Sequence, residues 1–302
     1  MGKEELTAQE TALYDRQIRI WGVDAQRRLS KSHILVAGMT GTIVEFCKNI
    51  VLAGIGSVVL LDDRLVTREA LSVNFLVPND EEKLKGRSLA EVCCNSLKDF
   101  NSMVHVSVEK GDLSALDGEI LDKFDAVVIG RASFATKKTI DGICRKRSKK
   151  IAFFTVDCRD SCGEIFVDLQ NYVYNQEAVA VPWNRLPKNV TKLYFAMRVI
   201  ERFEAAEGRI PGETTAADIS SVQQLRGELC KANSINESRI PDELLKRLLE
   251  GTREHPPVCA IVGGILGQEV IKALSGKGNP LKNFFFFDAK DGKGIIEDIS
   301  SL

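Results

Sequence analysis

An excess of charge of either sign is what this sequence most clearly lacks. Its 302 residues carry 41 Lys and Arg against 42 Asp and Glu, a net charge of −1. So balanced a chain has no general field to draw nucleic acid or a membrane surface, and neither is expected as a partner. The first residues, Met1-Gly2-Lys3-Glu4-Glu5, lack the apolar stretch of a secretory signal. Leu6 stands where a myristoylation motif has Ser or Thr, so Gly2 is a poor lipid acceptor. No apolar run approaches the ~20 residues that cross a bilayer, which predicts an intracellular chain. The 8 cysteines, at 47, 93, 94, 144, 158, 162, 230 and 259, form no C-x-x-C pair. Cys158 and Cys162 come nearest, one residue too far apart. A tetrahedral zinc site needs two close pairs, so no metal is expected and buried free thiols are.

What is present is ordinary globular composition, 44% hydrophobic and 27% charged. The length suits two domains, or one large α/β domain with an insertion. An amphipathic helical pattern covers 8–30, opened by a capping box of Thr7 and Glu10. An apolar strand at 33–38 runs into glycine, a helix follows over 42–53, and a second strand, 57–61, ends in Asp62-Asp63. This is a βαβ unit of about 30 residues. The alternation goes on with a helix at 86–99, strands at 103–108 and 125–129, a helix at 134–147 and a strand at 151–156. Residues 163–169 alternate and are expected to pair antiparallel. Helical patterns then cover 190–206, 215–231 and 241–250. A helix from Pro256 to about 275 and strands at 284–288 and 294–298 close the chain. The fold predicted is α/β: a Rossmann-like, mostly parallel sheet with flanking helices and a mainly helical insertion. Gly263, Gly264 and Gly267 inside the last helix predict very close packing, against the sheet or a second chain.

The turn after the first strand should carry the phosphate chemistry. A dinucleotide fingerprint, G-x-G-x-x-G, uses its glycines for the tight turn, for approach to phosphate and for helix–strand packing. Gly38 holds the first place, but Thr40 and Ile43 hold the second and third, with Gly41 between them. Asp62 stands where a ribose-binding carboxylate belongs. Gly38, Gly41 and Asp62 therefore read as vestiges of a nucleotide site, and no cofactor is expected on this chain.

Several segments together carry a family resemblance. They are Tyr14-Asp15-Arg16-Gln17-Ile18-Arg19-Ile20-Trp21-Gly22, the turn at 34–41, 48–54, Leu61-Asp62, 257–272 and 283–288. The chain resembles the adenylating enzymes that activate ubiquitin-like proteins and their bacterial sulfur-carrier relatives. Among these it looks like the small, non-catalytic subunits of heterodimeric SUMO-activating enzymes, of plant type. The resemblance divides the chain into a pseudo-adenylation domain, 1–175 and 255–302, and a helical insertion, 176–254, belonging to the catalytic-cysteine region. Working members carry an Asn-x-x-Arg pair, a lysine in Gly-Arg-x-Lys-Ala and an aspartate after the fourth strand. Here Val73 falls in the arginine's place, Leu89 replaces the lysine in Gly86-Arg87-Ser88-Leu89-Ala90, and 128–133 has no carboxylate. Apolar groups cannot stand in for charges around a polyanion. The resemblance thus implies that Mg-ATP is bound by a large catalytic partner, with SUMO as the protein activated and the nucleus as the site of action.

In this family the Tyr-Asp-Arg-Gln segment crosses the dimer interface, and its arginine meets the partner's ATP. Arg16 matches that position and is the candidate catalytic group in trans, in the manner of an arginine finger. Arg19 is the second choice. On the residues alone, Arg16 reads as a helix-surface ion pair with Glu10 or Asp15. The resemblance places the thioester cysteine in the large subunit, so Cys158 and Cys162 are not expected to be nucleophiles. The basic run 145–150 suits either a nuclear-import signal or a helix C-terminus. The connection 174–177 is shorter than is usual for the family. Three alternatives remain at this stage. They are a regulatory subunit of a NEDD8-activating enzyme, a self-sufficient homodimeric adenylyltransferase, and a nicotinamide-dependent oxidoreductase. The last lacks any His or Tyr-Lys constellation to donate a proton.

Overall fold

The computed structural model describes residues 5–80, 84–170, 182–251 and 253–299. The short connection at 174–177 lies outside them.

Apolar runs with no polar face make poor edge strands and good central ones. They form the middle of one eight-stranded sheet, in the order β3-β2-β1-β4-β5-β6-β7-β8. Strands β1 (His33–Ala37), β2 (Ser57–Leu61), β3 (His105–Glu109), β4 (Ala126–Gly130) and β5 (Ala152–Arg159) run parallel. Strands β6 (Cys162–Asp168), β7 (Asn283–Asp288) and β8 (Lys293–Glu297) extend the sheet antiparallel. The chain leaves β1 for β2 and β3, then returns to β4 on the other side of β1. That reversal makes the crevice where ligands bind in open α/β sheets.

Three cores follow from the strand alternation. Ile34, Val36, Val58 and Val128 face helices α4 (Gly41–Leu52), α6 (Leu89–Lys98) and α12 (Pro256–Ser275). Leu35, Val127, Ile129 and Phe153 face α7 (Gly118–Leu121) and α8 (Phe134–Arg145). The insertion helices α9 (Lys192–Ala206), α10 (Ile219–Ala232) and α11 (Asp242–Glu250) bury their apolar faces on Phe284 and Phe286 of β7. Two clusters of buried ions add direction to that contact. Arg159 at the end of β5 grips Glu204 of α9 with two bonds, at 2.8 and 2.9 Å, and both side chains are only 3% exposed. Arg198 of α9 binds Glu164 of β6 and Glu201.

The N-terminal helix expected over 8–30 is instead three short helices: α1 (Ala8–Leu13), α2 (Asp15–Trp21) and α3 (Val23–Leu29). The Thr7–Glu10 capping box is present. The breaks fall at Tyr14 and at Gly22, whose φ of +90° suits glycine. Tyr14 turns inward and is 2% exposed. Its ring lies over Gly54, where a Cβ would be 2.4 Å from Tyr14 Cζ. Asn101 Nδ2 donates to its hydroxyl at 2.9 Å. Helices α5 (Arg68–Val73) and α7 are too short to show a period, and the sequence did not announce them.

Helix α12 corrects another expectation. Its 20 residues are long and apolar enough to cross a bilayer by length and composition. In the sequence Gln268, Glu269 and Lys272 interrupt its apolar run. Val258, Val262, Leu266 and Val270 are nonetheless buried in the core. Glu269 is satisfied by Lys272 and by the Leu281 amide, both at 2.6 Å. The three glycines divide their work. A Cβ on Gly263 would lie 2.7 Å from the Thr42 carbonyl, so this one permits α4 to pack. Gly264 meets only Asn49 Nδ2, at 3.9 Å, and looks onto an open groove.

Gly54 (φ +79°) sets the seat of Tyr14. Gly54→Ala adds left-handed strain and a clash with the ring, and is expected to cost at least about 2 kcal/mol. Urea denaturation measures this, and an unchanged midpoint would mean that Tyr14 is not held there.

Candidate functional site

At the reversal between β1 and β4 lies a crevice of roughly 890 Å³, lined by Gly38, Asp62, Arg64, Gly130, Arg131 and Ser133 among others. Gly38 adopts φ +80°, and a Cβ there would stand 2.4 Å from the Gly130 carbonyl oxygen. This glycine is demanded by the approach of two strands. Gly130 also explains Ile43, since a Cβ on Gly130 would lie 2.6 Å from Ile43 Cγ1. The third fingerprint glycine has in effect moved across to β4, which makes room for a branched side chain on α4.

The start of α4 is fully engaged. Thr40 caps it, its hydroxyl accepting from the Ile43 amide at 3.3 Å. The Gly41 amide donates to Glu254 Oε2 at 2.5 Å. The Thr42 amide and hydroxyl donate to Glu254 Oε1 at 3.2 and 2.7 Å. Burial pushes the Glu254 carboxyl above its ordinary range, while the Thr42 and Gly41 donors pull it down. Gly41 has no spare room: a Cβ would sit 3.0 Å from the Val73 carbonyl oxygen and 3.2 Å from Cys259 Sγ.

Asp62 is likewise occupied. It accepts from the Met39 amide at 2.7 Å and from Arg64 Nε at 2.9 Å and Nη2 at 2.6 Å. A carboxylate held by a bidentate guanidinium is poorly placed to take a ribose hydroxyl. Asn74 stitches the turn from behind, donating to the Met39 carbonyl at 3.3 Å and accepting from the Leu76 amide at 3.1 Å. Val73 lies half-buried beside Gly41. Leu89 is buried in the first turn of α6, behind the Ser88 cap. Arg131, at φ +42°, donates through Nε to the Pro211 carbonyl at 3.1 Å. Fold and loop thus bring Gly38, Gly41, Asp62, Val73, Leu89 and 128–133 into one neighbourhood. Glu254, Arg64 and Asn74 were not read from the sequence. Glu254 is 213 residues from Gly41, and no local pattern signals it.

Arg16 sits elsewhere, on the outer face of α2. It is exposed, and among the described residues it has no ion pair or hydrogen bond. The acids near it are engaged: Asp15 pairs with Arg19 at 2.8 Å, and Glu10 closes the Thr7 capping box. The backbone beneath it is firmly held. Gln17 Nε2 donates to the Leu52 carbonyl at 3.1 Å, and Trp21 donates to Gln26, which donates to the Ala53 carbonyl. Exposed apolar side chains are carried on the N-terminal helices (Leu13, Ile20 and Val23), on α4 (Leu52) and on α12 (Ile261), with Ile20 at 78% exposure. A groove of roughly 460 Å³ runs among α2, α4 and α12, floored by Gly264 and Gly267.

The ThiF family profile matches residues 14–300. The chain belongs to the ThiF family. It is 61% identical to SUMO-activating enzyme subunit 1B-1 of Arabidopsis thaliana, with 99% of each chain covered. Subunit 1A of the same plant is 61% identical, with 99% of this chain and 98% of that one covered. SUMO-activating enzyme subunit 1 of Homo sapiens is 31% identical, covering 97% and 96%. Among solved structures, the selenomethionine form of PaaA superposes with a TM-score of 0.63 at 15% identity, covering 100% and 77%. E. coli MccB with succinimide gives 0.61 at 13% identity, covering 95% and 72%. At such identities these two speak for the fold alone.

In this ThiF chain all 8 cysteines are free and buried. Burial pushes Cys93, Cys144, Cys162 and Cys259 up to about 12, and Cys158 well above its ordinary value. None is a ready thiolate. The basic run is largely spent on ion pairs. Arg147 binds Asp122, Lys149 binds Asp125, and Arg145 lies between Asp141 and Asp168.

Two outcomes follow. A maleimide at pH 7.5 is expected to label no cysteine of the folded ThiF chain within minutes and all of them in urea; rapid labelling of Cys158 or Cys162 by mass spectrometry would reopen a nucleophile. The second concerns Asp141. Burial, then the neighbouring Asp168, raise it from 3.8 to about 8. The folded chain holds that proton more tightly than the unfolded chain, so stability is full below the unfolded value and falls as pH rises toward 8. Asp141→Asn is expected to flatten this slope in urea titrations at pH 5.5 and 8.5; an unaltered slope would place the pH dependence in other groups.

Proposed function

We propose that this chain is the non-catalytic subunit of a heterodimeric SUMO-activating enzyme and supplies Arg16 to the ATP held by its larger partner. One pairing carries the reading. This chain's own phosphate loop is filled by protein groups, while Arg16, on a firmly held helix, has no partner among the described residues. The identity to the Arabidopsis subunits over 99% of the chain supports the identification of SUMO and of a companion subunit. The exposed apolar residues around α2 and α12 support docking of that companion beside Arg16.

The residues present do not fit Mg-ATP on this chain. Val73 and Leu89 offer no charge, 128–133 offers no carboxylate, and Asp62 is bound to Arg64. The chemistry therefore belongs to the partner. There the SUMO C-terminal carboxylate attacks the α-phosphorus of ATP, the bond to the β,γ unit breaks, and pyrophosphate leaves. A partner cysteine thiolate then takes the acyl group as a thioester and releases AMP. Arg16 offers a planar fork of donors to phosphate oxygens as negative charge shifts toward the leaving pyrophosphate. Tyr14 and Gln17 act through the backbone, fixing α2 so that the fork is presented without loss of order. Nuclear action is part of the proposal on family grounds. The basic run lends it no support, because its arginines are engaged with acids.

Arg16→Ala in the assembled heterodimer is expected to lower SUMO-dependent ATP–pyrophosphate exchange by on the order of 10³-fold, with assembly on gel filtration intact. Arg16→Lys should recover only part, because an ammonium lacks the fork. Full exchange by the Arg16→Ala heterodimer would sink the role in trans. Exchange by this chain alone would return catalysis to its own loop.

A further inference from the structure

We infer that Glu254 is the resident anion of this chain's phosphate loop, and that its carboxylate closes the α4 N-terminus to phosphate. The first N–H groups of a helix point at a site of positive potential that phosphates use in this fold class. Here every donor of that first turn already has a protein acceptor. Gly41 and Thr42 give their amides to Glu254, Thr42 adds its hydroxyl, and Thr40 takes the Ile43 amide. Both carboxylate oxygens are used, as phosphate oxygens would be. An incoming phosphate would have to displace a negative charge that is tethered in place, at very high effective concentration.

Glu254 is not a wandering surface side chain. It stands where the insertion returns to the sheet. The Asp160 amide donates to the Arg253 carbonyl at 3.1 Å, and Asp160 and Glu254 form a parallel bridge. Two residues later the chain enters α12 through Pro256-Pro257. The backbone that delivers the carboxylate is thus fixed by the sheet on one side and a core helix on the other. The crevice beside the loop remains open at roughly 890 Å³. Space alone therefore does not exclude a polyanion; the engaged donors do. Glu254 acts as the determinant of a silent loop, independently of whether Arg16 serves a partner.

The test uses the full chain and inorganic pyrophosphate, followed by calorimetry and by the Gly41 and Thr42 amide resonances of ¹⁵N-labelled protein. The unaltered chain is expected to leave both resonances in place at millimolar pyrophosphate. Glu254→Ala is expected to bind pyrophosphate at least about tenfold more tightly, with saturable shifts at those two amides. Glu254→Gln keeps the shape but loses the charge and one of the two acceptors, and is expected to bind pyrophosphate with an affinity between those of the parent and Glu254→Ala. Saturable shifts in the unaltered chain would overturn the inference without recourse to any variant. So would a folded Glu254→Ala chain that binds no better than the parent, or a Glu254→Gln chain that stays as closed as the parent. Because only this chain is present, the outcome is separate from that of the Arg16 exchange assay.

Discussion

A helix that begins at the carboxyl end of a buried parallel strand needs acceptors for its first amides. In nucleotide-binding relatives of the fold, phosphate can supply them. This chain has kept the strand, the turn and the helix, and meets the demand with Thr40 and Glu254. The remaining local features answer to that arrangement. Gly38 stays because β1 and β4 approach too closely for a side chain, whatever is bound. Ile43 is tolerated because Gly130 yields space across the sheet. Val73 and Leu89 leave the crevice without two of the charges a polyanion would need beside it. The doubly wound architecture thus stands with protein groups on the donors of its loop.

The same economy appears at the N-terminus. Helix α2 has 7 residues, too few to persist in isolation. It is ordered by what lies beneath it: the Tyr14 ring in the hollow above Gly54, the Asn101 bond to its hydroxyl, the Gln17 and Gln26 bonds to the end of α4, and the Trp21 bond to Gln26. Those bonds fix the backbone and leave the Arg16 side chain uncommitted. In the role proposed for Arg16, such a platform presents the side chain on a backbone that is already ordered.

Buried charge governs how the insertion sits. Helix α9 could slide on a purely apolar face of β6 and β7. Arg159 with Glu204, and Arg198 with Glu164 and Glu201, give that contact a register. Such pairs contribute little net stability, since desolvation offsets attraction, but breaking one leaves a buried ion alone. On the far side, Arg247 of α11 holds Asp288 of β7 through both nitrogens. The loop that follows α11 then brings Glu254 to α4, so placement of the insertion and closure of the phosphate loop are mechanically linked.

Local chemistry was legible wherever neighbours in sequence are neighbours in space. The period-two and period-3.6 patterns located the strands and long helices within a few residues, because burial of one face dictates them. The Thr7–Glu10 box, the positive-φ glycine after β1, and the missing charges at Val73 and Leu89 were visible for the same reason. Tertiary structure alone decided the rest. Tyr14 makes the first of two breaks in the expected helix because a hollow formed by Gly54, forty residues on, can hold its ring. The apolar helix α12 belongs to the core because Gly263 lets α4 come within contact. Asp62 is engaged because Arg64 folds back on it, and Glu254 faces Gly41 only after the chain has made the whole insertion. A sequence lists which groups are available, but a carboxylate and a helix N-terminus that lie 213 residues apart meet only through the fold.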